Sequence, residues 1–546
     1  MPSPTFQSLT EDNWRSIALY LAAADVLSFL SVHRDIDRLL STSLSFWTRL
    51  LARDRDEEPD SQGMQGESCG DARKQFMLHA YMARLSAVEW IPLDLQGAFP
   101  VSAREGHLAC VLEGPRRRKS LVITGGFSDD DGVVVVALPA GANAHARTWG
   151  WTRLSPRVRP SFVYGATLTA LPPADSTSKS VHVAKAVRFG GFQSGGYTHE
   201  TNEVGLLVVR HETLGNGVLR QTATWEKVEP RGAAPAGRAY HSATLLRSRW
   251  LVILGGMTYR GSTLEEAILD THTWTWSDVS LACTGEPRPL GRHGHSVVWD
   301  ARRDRLVMFG GGSGFDLLRS GVDNNEVWEL RMNGNEVPSF GGTPSQKWRW
   351  SVVHPNTVLR EVEDGSDEEE KDANDMDSTC QTTAHCLSPA ESLCLGRCHS
   401  GMKISPDTVL LLFGGGRPNT NGVLGYDLEK NTFLRPRVKG PLPAPRFTGV
   451  AAFLETEGYV FVHGGYNSQT ATSIHDMNVL DLGPLLRRRF TALPINRNRR
   501  SSEAVTDEEV IGWGQRPTFH DDEGNASIAR YLYLLSQGQV GMPSGV

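Results

Sequence analysis

LVILGG, residues 251–256, decides the fold because close variants of it occur six times in the chain. Each variant is a run of apolar residues that ends in two glycines. The six pairs are Gly125 and Gly126, Gly190 and Gly191, Gly255 and Gly256, Gly310 and Gly311, Gly414 and Gly415, and Gly464 and Gly465. Such a run favours a buried strand, and glycine tolerates the positive φ of a tight turn. Spacing of roughly 50 to 65 residues predicts an array of small β-units that stack on one another.

Further features repeat with the glycine pairs. An arginine precedes each apolar run, and these are Arg104, Arg159, Arg238, Arg292, Arg397 and Arg446. Most units close with a tryptophan strand such as TWTW, residues 273–276, which gives the four short strands of a propeller blade. This arginine, double-glycine and tryptophan pattern resembles the kelch repeat. The resemblance covers residues 86–483 with one interruption and implies an all-β propeller, with six blades favoured over seven.

Two segments compete to supply the strand that closes the ring. VEWIPL, residues 88–93, has no preceding blade, and RFTALP, residues 489–494, lies at the other end of the repeats. We favour the strand around Trp90, because an N-terminal strand then joins both ends of the ring. A degenerate seventh blade from residues 516–522 and 530–537 ranks lower, since it lacks a glycine pair.

Residues 1–52 are predicted to form a small all-α domain. Apolar residues recur there at helical spacing, namely Leu9, Trp14, Ile17, Leu21, Val26, Leu27, Leu30, Val32 and Trp47. A hairpin of about 40 residues cannot bury all of them, so part of this surface is expected to meet a partner. The spacing resembles an F-box, although Thr10 replaces the usual proline and His33 the usual cysteine. The resemblance implies that these residues bind the Skp1-type adaptor of a cullin–RING ubiquitin ligase. A helical cap on the propeller is the alternative.

Other segments are predicted from composition. Residues 53–85 form a charged linker and then a connecting helix, with Phe76 and Tyr81 on one face. Between blades one to four (86–353) and blades five and six (395–483), the run EVEDGSDEEEKDANDMD marks 354–394 as an acidic disordered insertion. An acidic docking segment is the alternative. The tail, 484–546, is locally basic, and a solvated linker is favoured there over a nuclear localisation signal.

Composition argues against several classes of function. A net charge of −6 gives no global basic surface for nucleic acid, and no apolar run approaches the roughly 20 residues that span a bilayer. Seven cysteines and the absence of a secretory leader pattern indicate reduced thiols in the cytoplasm or nucleus. There is no nucleophile elbow, phosphate loop or HExxH segment. We therefore expect no catalytic residues, no cofactor and no enzymatic activity.

Two groups of residues have metal-binding chemistry. The first contains Cys380, His385, Cys386, Cys394, Cys398 and His399, but only its last two cysteines approach the spacing of a zinc site. The second contains His107, His241 and His295, each three residues after an arginine. Hydrogen bonds between neighbouring blades are the more common role for such repeated positions. No metal site is therefore predicted.

The remaining candidate site is a protein-binding face. The kelch resemblance implies that one face is built from the loops after the glycine pairs and from the segments that enter each innermost strand. Beside the six arginines, these contribute Phe127, Asp129, Tyr197, His199, Tyr259, Arg260, Phe315, Arg319, Arg417, Asn419, Tyr466 and Asn467. Aromatic and arginine side chains concentrate binding energy, and an arginine ring would favour an acidic or phosphorylated target. Salt bridges between blades are the alternative role of the arginines.

These features predict a non-enzymatic substrate receptor of an SCF-type ubiquitin ligase. The helical domain would hold the adaptor, and the propeller would hold the protein target. A kelch interaction scaffold without a ligase role is the alternative, and an enzyme built on the propeller ranks third.

Overall fold

The computed structural model describes residues 46–47, 49–50, 69–93, 103–115, 119–126, 132–137, 150–156, 163–173, 181–193, 199–214, 219–277, 287–314, 325–331, 348–361, 396–415 and 420–484. The chain divides into two compact units. The first comprises Met1–Ala87, Glu361–Cys386 and Gly483–Val546, and the second comprises Val88–Arg360 and Leu387–Leu482.

The described part of the first unit is helical. Its long helix is α1 (Cys69–Arg84), which lies within the range 53–85 where the connecting helix is predicted. Trp47 is buried, and its ring centroid lies 5.5 Å from that of Phe76. Trp47 therefore packs inside the unit, and its prediction as an adaptor-binding residue is wrong. The other predicted adaptor-binding residues lie outside the described part of the chain. None of the described helices is long and apolar enough to cross a membrane.

The second unit contains six antiparallel sheets, numbered here as blades one to six. Blade one has β2 (Leu108–Glu113), β3 (Lys119–Thr124), β4 (Val133–Ala137) and β5 (Gly150–Leu154). Blade two has β7 (Thr167–Ala170), β8 (Val181–Phe189), β10 (Val204–Thr213) and β11 (Leu219–Val228). Blade three has β12 (Ser242–Leu246), β13 (Trp250–Thr258), β14 (Gly261–Asp270) and β15 (Thr275–Trp276). Blade four has β16 (Ser296–Asp300), β17 (Arg305–Phe309), β18 (Val327–Arg331) and β19 (Arg349–Val353).

The last two blades each carry a fifth strand. Blade five has β21 (Ser400–Lys403), β22 (Thr408–Gly414), β23 (Thr420–Asp427) and β24 (Thr432–Arg435), with β20 (Asn356–Glu361) at its outer edge. Blade six has β26 (Val450–Leu454), β27 (Tyr459–His463), β30 (Met477–Asp481) and β1 (Ala87–Pro92), with β25 (Arg437–Lys439) outside them. Two short pairs complete the described strands: β6 (Val163–Tyr164) with β9 (Phe192–Gln193), and β28 (Tyr466–Asn467) with β29 (Thr472–Ser473).

The innermost strands close a ring. They contact one another in the cycle β2, β7, β12, β16, β21, β26 and back to β2. Apolar side chains fill the space between neighbouring blades, for example Val187 of blade two with Ile253 and Trp276 of blade three. The all-β, six-bladed propeller is confirmed, and this closed cycle leaves no position for a seventh blade.

Strand β1 joins the two ends of the repeats. It pairs antiparallel with β30, and Trp90 lies opposite Leu480. Trp90 is buried, with its ring centroid 5.7 Å from that of Phe413 in blade five. The N-terminal strand thus holds the position that the sequence favours for it. The competing segments after residue 484 lie outside the described residues.

The start of the predicted acidic insertion needs correction. Residues 356–361 form β20, which pairs with β24 at the edge of blade five. Their sequence, NTVLRE, contains the β-branched residues Thr357 and Val358 followed by Leu359, which suits a strand better than a disordered segment. The rest of the predicted insertion, 362–394, lies outside the described residues.

A closed ring of backbone hydrogen bonds surrounds the propeller axis. One residue of each blade donates its N–H to the carbonyl of the corresponding residue in the preceding blade, at distances between 2.6 and 3.3 Å. The six residues are Gly106, Gly165, Tyr240, Gly294, Cys398 and Thr448, and each has a φ between 53° and 66°. The six ring residues therefore show which positions in different blades are equivalent, without reference to residue type.

The glycine pairs make the adjoining contacts between blades. The second glycine donates its N–H to the residue two positions before the ring residue of the next blade, as Gly256 does to Arg292 O at 2.8 Å. At Gly190, Gly255 and Gly464, the first glycine leaves room for a histidine of that next blade. A Cβ on Gly255 would lie 2.7 Å from His295 Cε1 and 2.8 Å from Arg292 O. Turn geometry and close packing therefore both require the pair.

Blade five is offset by one residue. Here Gly414 donates to Arg446 O, so the structural pair is Phe413 and Gly414, with φ of 61° and 138°. Gly415 instead bridges Arg397. The predicted pair Gly414 and Gly415 is thus wrong by one position. Phe413 fits where other blades have glycine because the following blade has Gly449, not histidine, next to its ring residue.

Candidate functional site

The candidate site is one end of the propeller, which we call the loop face. It consists of the loop after each glycine pair and the segment before each innermost strand. In an antiparallel sheet, a strand ends where its neighbour begins, so both sets of connections emerge at the same end of each blade. Contacts between them include Ser262 Oγ with His293 Nδ1 at 2.8 Å and Tyr259 N with Glu200 Oε1 at 3.0 Å.

Each arginine that opens a standard blade is a junction of three groups. Arg292 Nε donates to Leu290 O at 3.1 Å, which holds the entering segment. Its Nη1 donates to Gly310 O at 3.1 Å, and its Nη2 to Glu326 Oε2 at 3.0 Å. The guanidinium thereby ties the entering segment, the glycine turn and the third strand together.

The same junction recurs in two more blades. Arg238 bonds Ala236 O, Gly255 O and Glu265, and Arg446 bonds Ala444 O, Gly464 O and Asp476. Arg104 donates to Gly125 O at 3.1 Å in blade one. Planar guanidinium groups suit such multiple, fixed acceptors.

These arginines do not present a binding surface. Arg104, Arg238, Arg292 and Arg446 are at most 1% exposed. The prediction that they contact a target is therefore wrong. Because their acceptors belong to the same blade, the alternative role between blades is also wrong for the bonds described here. They are structural groups that fix the loops.

Two blades depart from this junction. In blade two, Val163 holds the arginine position, because its carbonyl accepts from Gly126, and Arg188 of β8 pairs with Glu203 at 3.3 Å instead. In blade five, Gly396 holds the position and Gly422 stands where blade four has Glu326.

The two arginines predicted for these blades therefore lie elsewhere. Arg397 is one residue beyond the junction position, is 8% exposed, and its Nε lies 3.0 Å from where a Cβ on Gly312 would be. Arg159 lies outside the described residues. The prediction of six equivalent arginines is thus wrong for Arg397. The spacing of arginines and glycines along the sequence does not show that blade five is shifted by one residue.

The solvent side of each junction is its carboxylate. The side chain of Glu326 is 50% exposed, and those of Glu203, Glu265 and Asp476 are between 38% and 45% exposed. The pKa of Glu326 lies below its ordinary value. Burial raises this pKa, but the hydrogen bonds from Trp328 and Arg292 together lower it by more. These carboxylates were missed in the sequence, where the repeated Asn-Glu-Val at 202–204 and 325–327 carries the signal.

The other predicted face residues have mixed placements. Tyr259 is 61% exposed, and Arg260 donates to its hydroxyl at 2.6 Å. Tyr466 stacks edge-on against Phe447 at 5.7 Å, and Asn467 is buried with its Oδ1 accepting from Gln469 N. His199 is exposed. The structure does not describe Phe127, Asp129, Tyr197, Phe315, Arg319, Arg417 and Asn419.

The repeated histidines link neighbouring blades. His241 Nε2 lies 2.9 Å from Thr167 Oγ1, and His295 Nε2 lies 3.1 Å from Ser242 Oγ. Where blades six and one meet, His107 Nε2 lies 3.1 Å from His463 Nδ1 instead. The predicted bonds between blades are therefore present.

The histidine environment favours the neutral form. Burial, followed by the nearby Arg238, lowers the pKa of His241 to about 3. Burial also lowers the pKa of His463 to about 3, with a further contribution from Arg104. Within the described residues, no group of three or more His, Cys, Asp or Glu side chains could hold a metal ion. Of the cysteine group, Cys380, His385, Cys386 and Cys394 lie outside them.

Sequence comparison adds to this geometry. The model of the KLHDC2/KLHL20/DRC7 Kelch-repeats domain matches residues 66–311 and 169–356, which together cover more than half of the chain. Acyl-CoA-binding domain-containing protein 4 of Arabidopsis thaliana is 25% identical over 309 residues, covering 54% of this chain and 42% of that protein. Host cell factor of Drosophila melanogaster is 31% identical over 135 residues, covering 22% of this chain and 9% of that protein. The chain thus spans less than half the length of either relative.

Proposed function

This chain belongs to the kelch-repeat family, and from that premise we propose that it is the substrate-recognition subunit of an SCF-type ubiquitin ligase. A kelch propeller indicates a protein-interaction role. The observation that carries the binding role is the set of buried arginine junctions, because they hold the loops of one face on a rigid ring. Pre-organised loops lose little conformational freedom when they bind a partner.

The ligase part of the proposal rests on the N-terminal pattern. The apolar spacing from Leu9 to Leu50 resembles an F-box, which would bind a Skp1-type adaptor and through it a cullin–RING ligase. The helix α1 follows this segment and precedes β1, the strand that closes the propeller. A helical connection would limit the range of distances between a bound target and the catalytic subunits. In this role the chain is itself non-catalytic.

A pull-down with the purified adaptor tests the ligase part. The intact chain should retain the adaptor, and the double variant Ile17→Asp, Leu21→Asp should not, because two charges would enter an apolar contact. Leu290→Ser is the control, since this exposed leucine lies on the propeller and its change should leave adaptor binding intact. Failure of the intact chain to bind would remove the ligase role.

A second experiment tests the binding role separately. Proteins that associate with the intact chain should be lost when Tyr259 and Arg260 are both replaced by alanine, because this exposed pair projects from the loop face. If partners bind the loop face but the adaptor does not bind, the chain is an interaction scaffold without a ligase role. If partners survive the double replacement, Tyr259 and Arg260 are not part of the contact.

A further inference from the structure

A cleft of about 540 Å³ opens at the rim of blade six. One wall is the end of β1 with Pro92 and Leu93, and the other is the proline-containing segment 441–444, where Leu442 is exposed. Asp476 and Asn478 also line the cleft. This volume lies within the range of about 300 to 1,000 Å³ that is typical of ligand pockets.

Blade four offers a comparison, because it has an aromatic residue at the corresponding position, where blades one, two, three and five have Val134, Gly205, Ala267 and Leu424. Met477 lies opposite His463, and Val327 lies opposite Phe309, each just before a glycine pair. The next residue is therefore Asn478 in blade six and Trp328 in blade four. The indole of Trp328 packs in the core between blades three and four.

The indole of blade four also satisfies a carboxylate. Trp328 Nε1 donates to Glu326 Oε2 at 2.8 Å, and the same oxygen accepts from Arg292 Nη2 at 3.0 Å. Glu326 thus has one donor from the arginine junction and one from an aromatic ring. Its equivalent in blade six is Asp476, whose two carboxylate oxygens accept from Arg446, Oδ1 from Nη1 at 2.5 Å and Oδ2 from Nη2 at 2.7 Å.

Blade six lacks the aromatic donor and has an unsatisfied amide in its place. Asn478 is 5% exposed, and within the described part of the chain its Nδ2 has no hydrogen-bond partner. The carboxylate of Asp476 is 38% exposed, so one side of it faces solvent. A buried amide without an acceptor is unfavourable, so an acceptor supplied by a bound group would stabilise this donor.

We propose that the cleft binds the side chain of a tryptophan from a partner polypeptide. The indole N–H donates to Asp476, as the indole of Trp328 does to Glu326, and a main-chain carbonyl of the partner accepts from Asn478 Nδ2. Proline and leucine side chains of the walls, including Pro92 and Leu442, pack against the ring. This rests on the proposed protein-binding role of the loop face and is independent of the ligase role.

Binding of N-acetyl-tryptophanamide to the full chain tests the proposal, measured by ligand-observed NMR. This probe has the indole N–H and a carbonyl acceptor. Its 1-methylindole derivative should bind about tenfold more weakly, because it cannot donate to the carboxylate. No binding of the parent compound at millimolar concentration, or equal binding of the two compounds, would overturn the proposal.

The variant Asn478→Trp places an indole in the cleft from within, as in blade four. It should keep the fold and lose binding of the probe. Leu442→Ser should weaken binding several-fold while the fold is intact, and Leu290→Ser, at an exposed leucine of blade four, should not change it. Undiminished binding in both cleft variants would assign the probe to another site. The adaptor pull-down is a separate measurement, so failure here leaves that result unaffected.

Discussion

Blades four and five have the same four-stranded core but hold their loops differently. Blade four ties its loop face with the buried Arg292 and the half-exposed Glu326. Blade five has Gly396 and Gly422 at the two corresponding positions, so both members of the ion pair are absent together. Leaving one charge without its partner would be costlier than losing both. The pair is therefore a unit of the repeat that can be omitted as a whole.

The two blades also differ at the glycine turn. Blade four has Gly310 at the first position, and blade five has Phe413 in the same left-handed conformation. The Phe413 ring lies 5.3 Å from the guanidinium carbon of Arg446 and also near Trp90. The glycine at 449 vacates the space that a histidine of the next blade fills elsewhere. Sequence changes in one blade are thus matched by changes in its neighbour.

The largest expected effect is at a standard glycine turn. Gly255→Ala should lower the free energy of unfolding by about 4 kcal/mol, since alanine resists a φ of 60° and its Cβ would overlap His295 and Arg292 O. Urea unfolding followed by tryptophan fluorescence measures this. The position matches Phe413 of blade five. A loss below about 1 kcal/mol would show that standard blades are as tolerant as blade five.

The arginine junction should be the next most sensitive feature. Arg292→Ala should cost about 3 kcal/mol, because Leu290 O, Gly310 O and Glu326 all lose a donor. Arg331→Ala is the control, since Arg331 forms a partly exposed pair with Glu329 and should cost less than about 1 kcal/mol. Equal losses in the two variants would contradict a special role of the buried junction.

Acid should destabilise the blades that contain buried histidines. The pKa of His241 is about 3 in the folded chain, against an ordinary value near 6.5. As the pH falls below about 6.5, the unfolded chain binds the proton first, so stability present at neutral pH is lost on acidification. Between pH 7 and pH 5 this site alone should cost about 2 kcal/mol.

The variant His241→Gln isolates that contribution. Glutamine can still bond Thr167 but does not titrate, so the fall in stability from pH 7 to pH 5 should shrink by about 2 kcal/mol relative to the unchanged chain. His272→Gln, at an exposed position of the same blade, is the control. Parallel pH profiles for the unchanged chain and His241→Gln would refute the assignment. Blade five differs here too, because Ser296 Oγ donates to the main-chain oxygen of His399.

The repeat pattern predicts the propeller well because turn geometry and strand composition are local properties. Glycine pairs, apolar runs and the strand around Trp90 each follow from short stretches of sequence. Register is not local. Val163 and Gly396 take the arginine position in two blades, and only hydrogen bonds between blades reveal this.

The candidate site could be predicted less completely, because residue type does not determine burial. Arginine before a strand suggests an exposed cation, yet Arg238 and Arg446 are fully buried and the acids that pair with them face solvent. Arg104, Arg238, Arg292 and Arg446 do lie in the segments that enter their innermost strands, as their place in the repeat predicts. Packing against the glycine turn decides whether the arginine or the acid of each ion pair is exposed to solvent. The spacing of residues along the sequence carries no information on this packing.

The smallest expected effect sharpens the contrast between glycines of different blades. Gly422 takes the place of a carboxylate residue in blade five, its φ is not left-handed, and nothing lies within 4 Å of a Cβ added there. Gly422→Ala should therefore raise the free energy of unfolding by about 0.5 kcal/mol, because alanine has less conformational freedom in the unfolded chain. The measurement is the same urea titration used for Gly255→Ala. A decrease in the free energy of unfolding for Gly255→Ala with an increase for Gly422→Ala would separate glycines that the fold needs from a glycine that stands where an ion pair was lost. A decrease in stability for Gly422→Ala would refute that distinction.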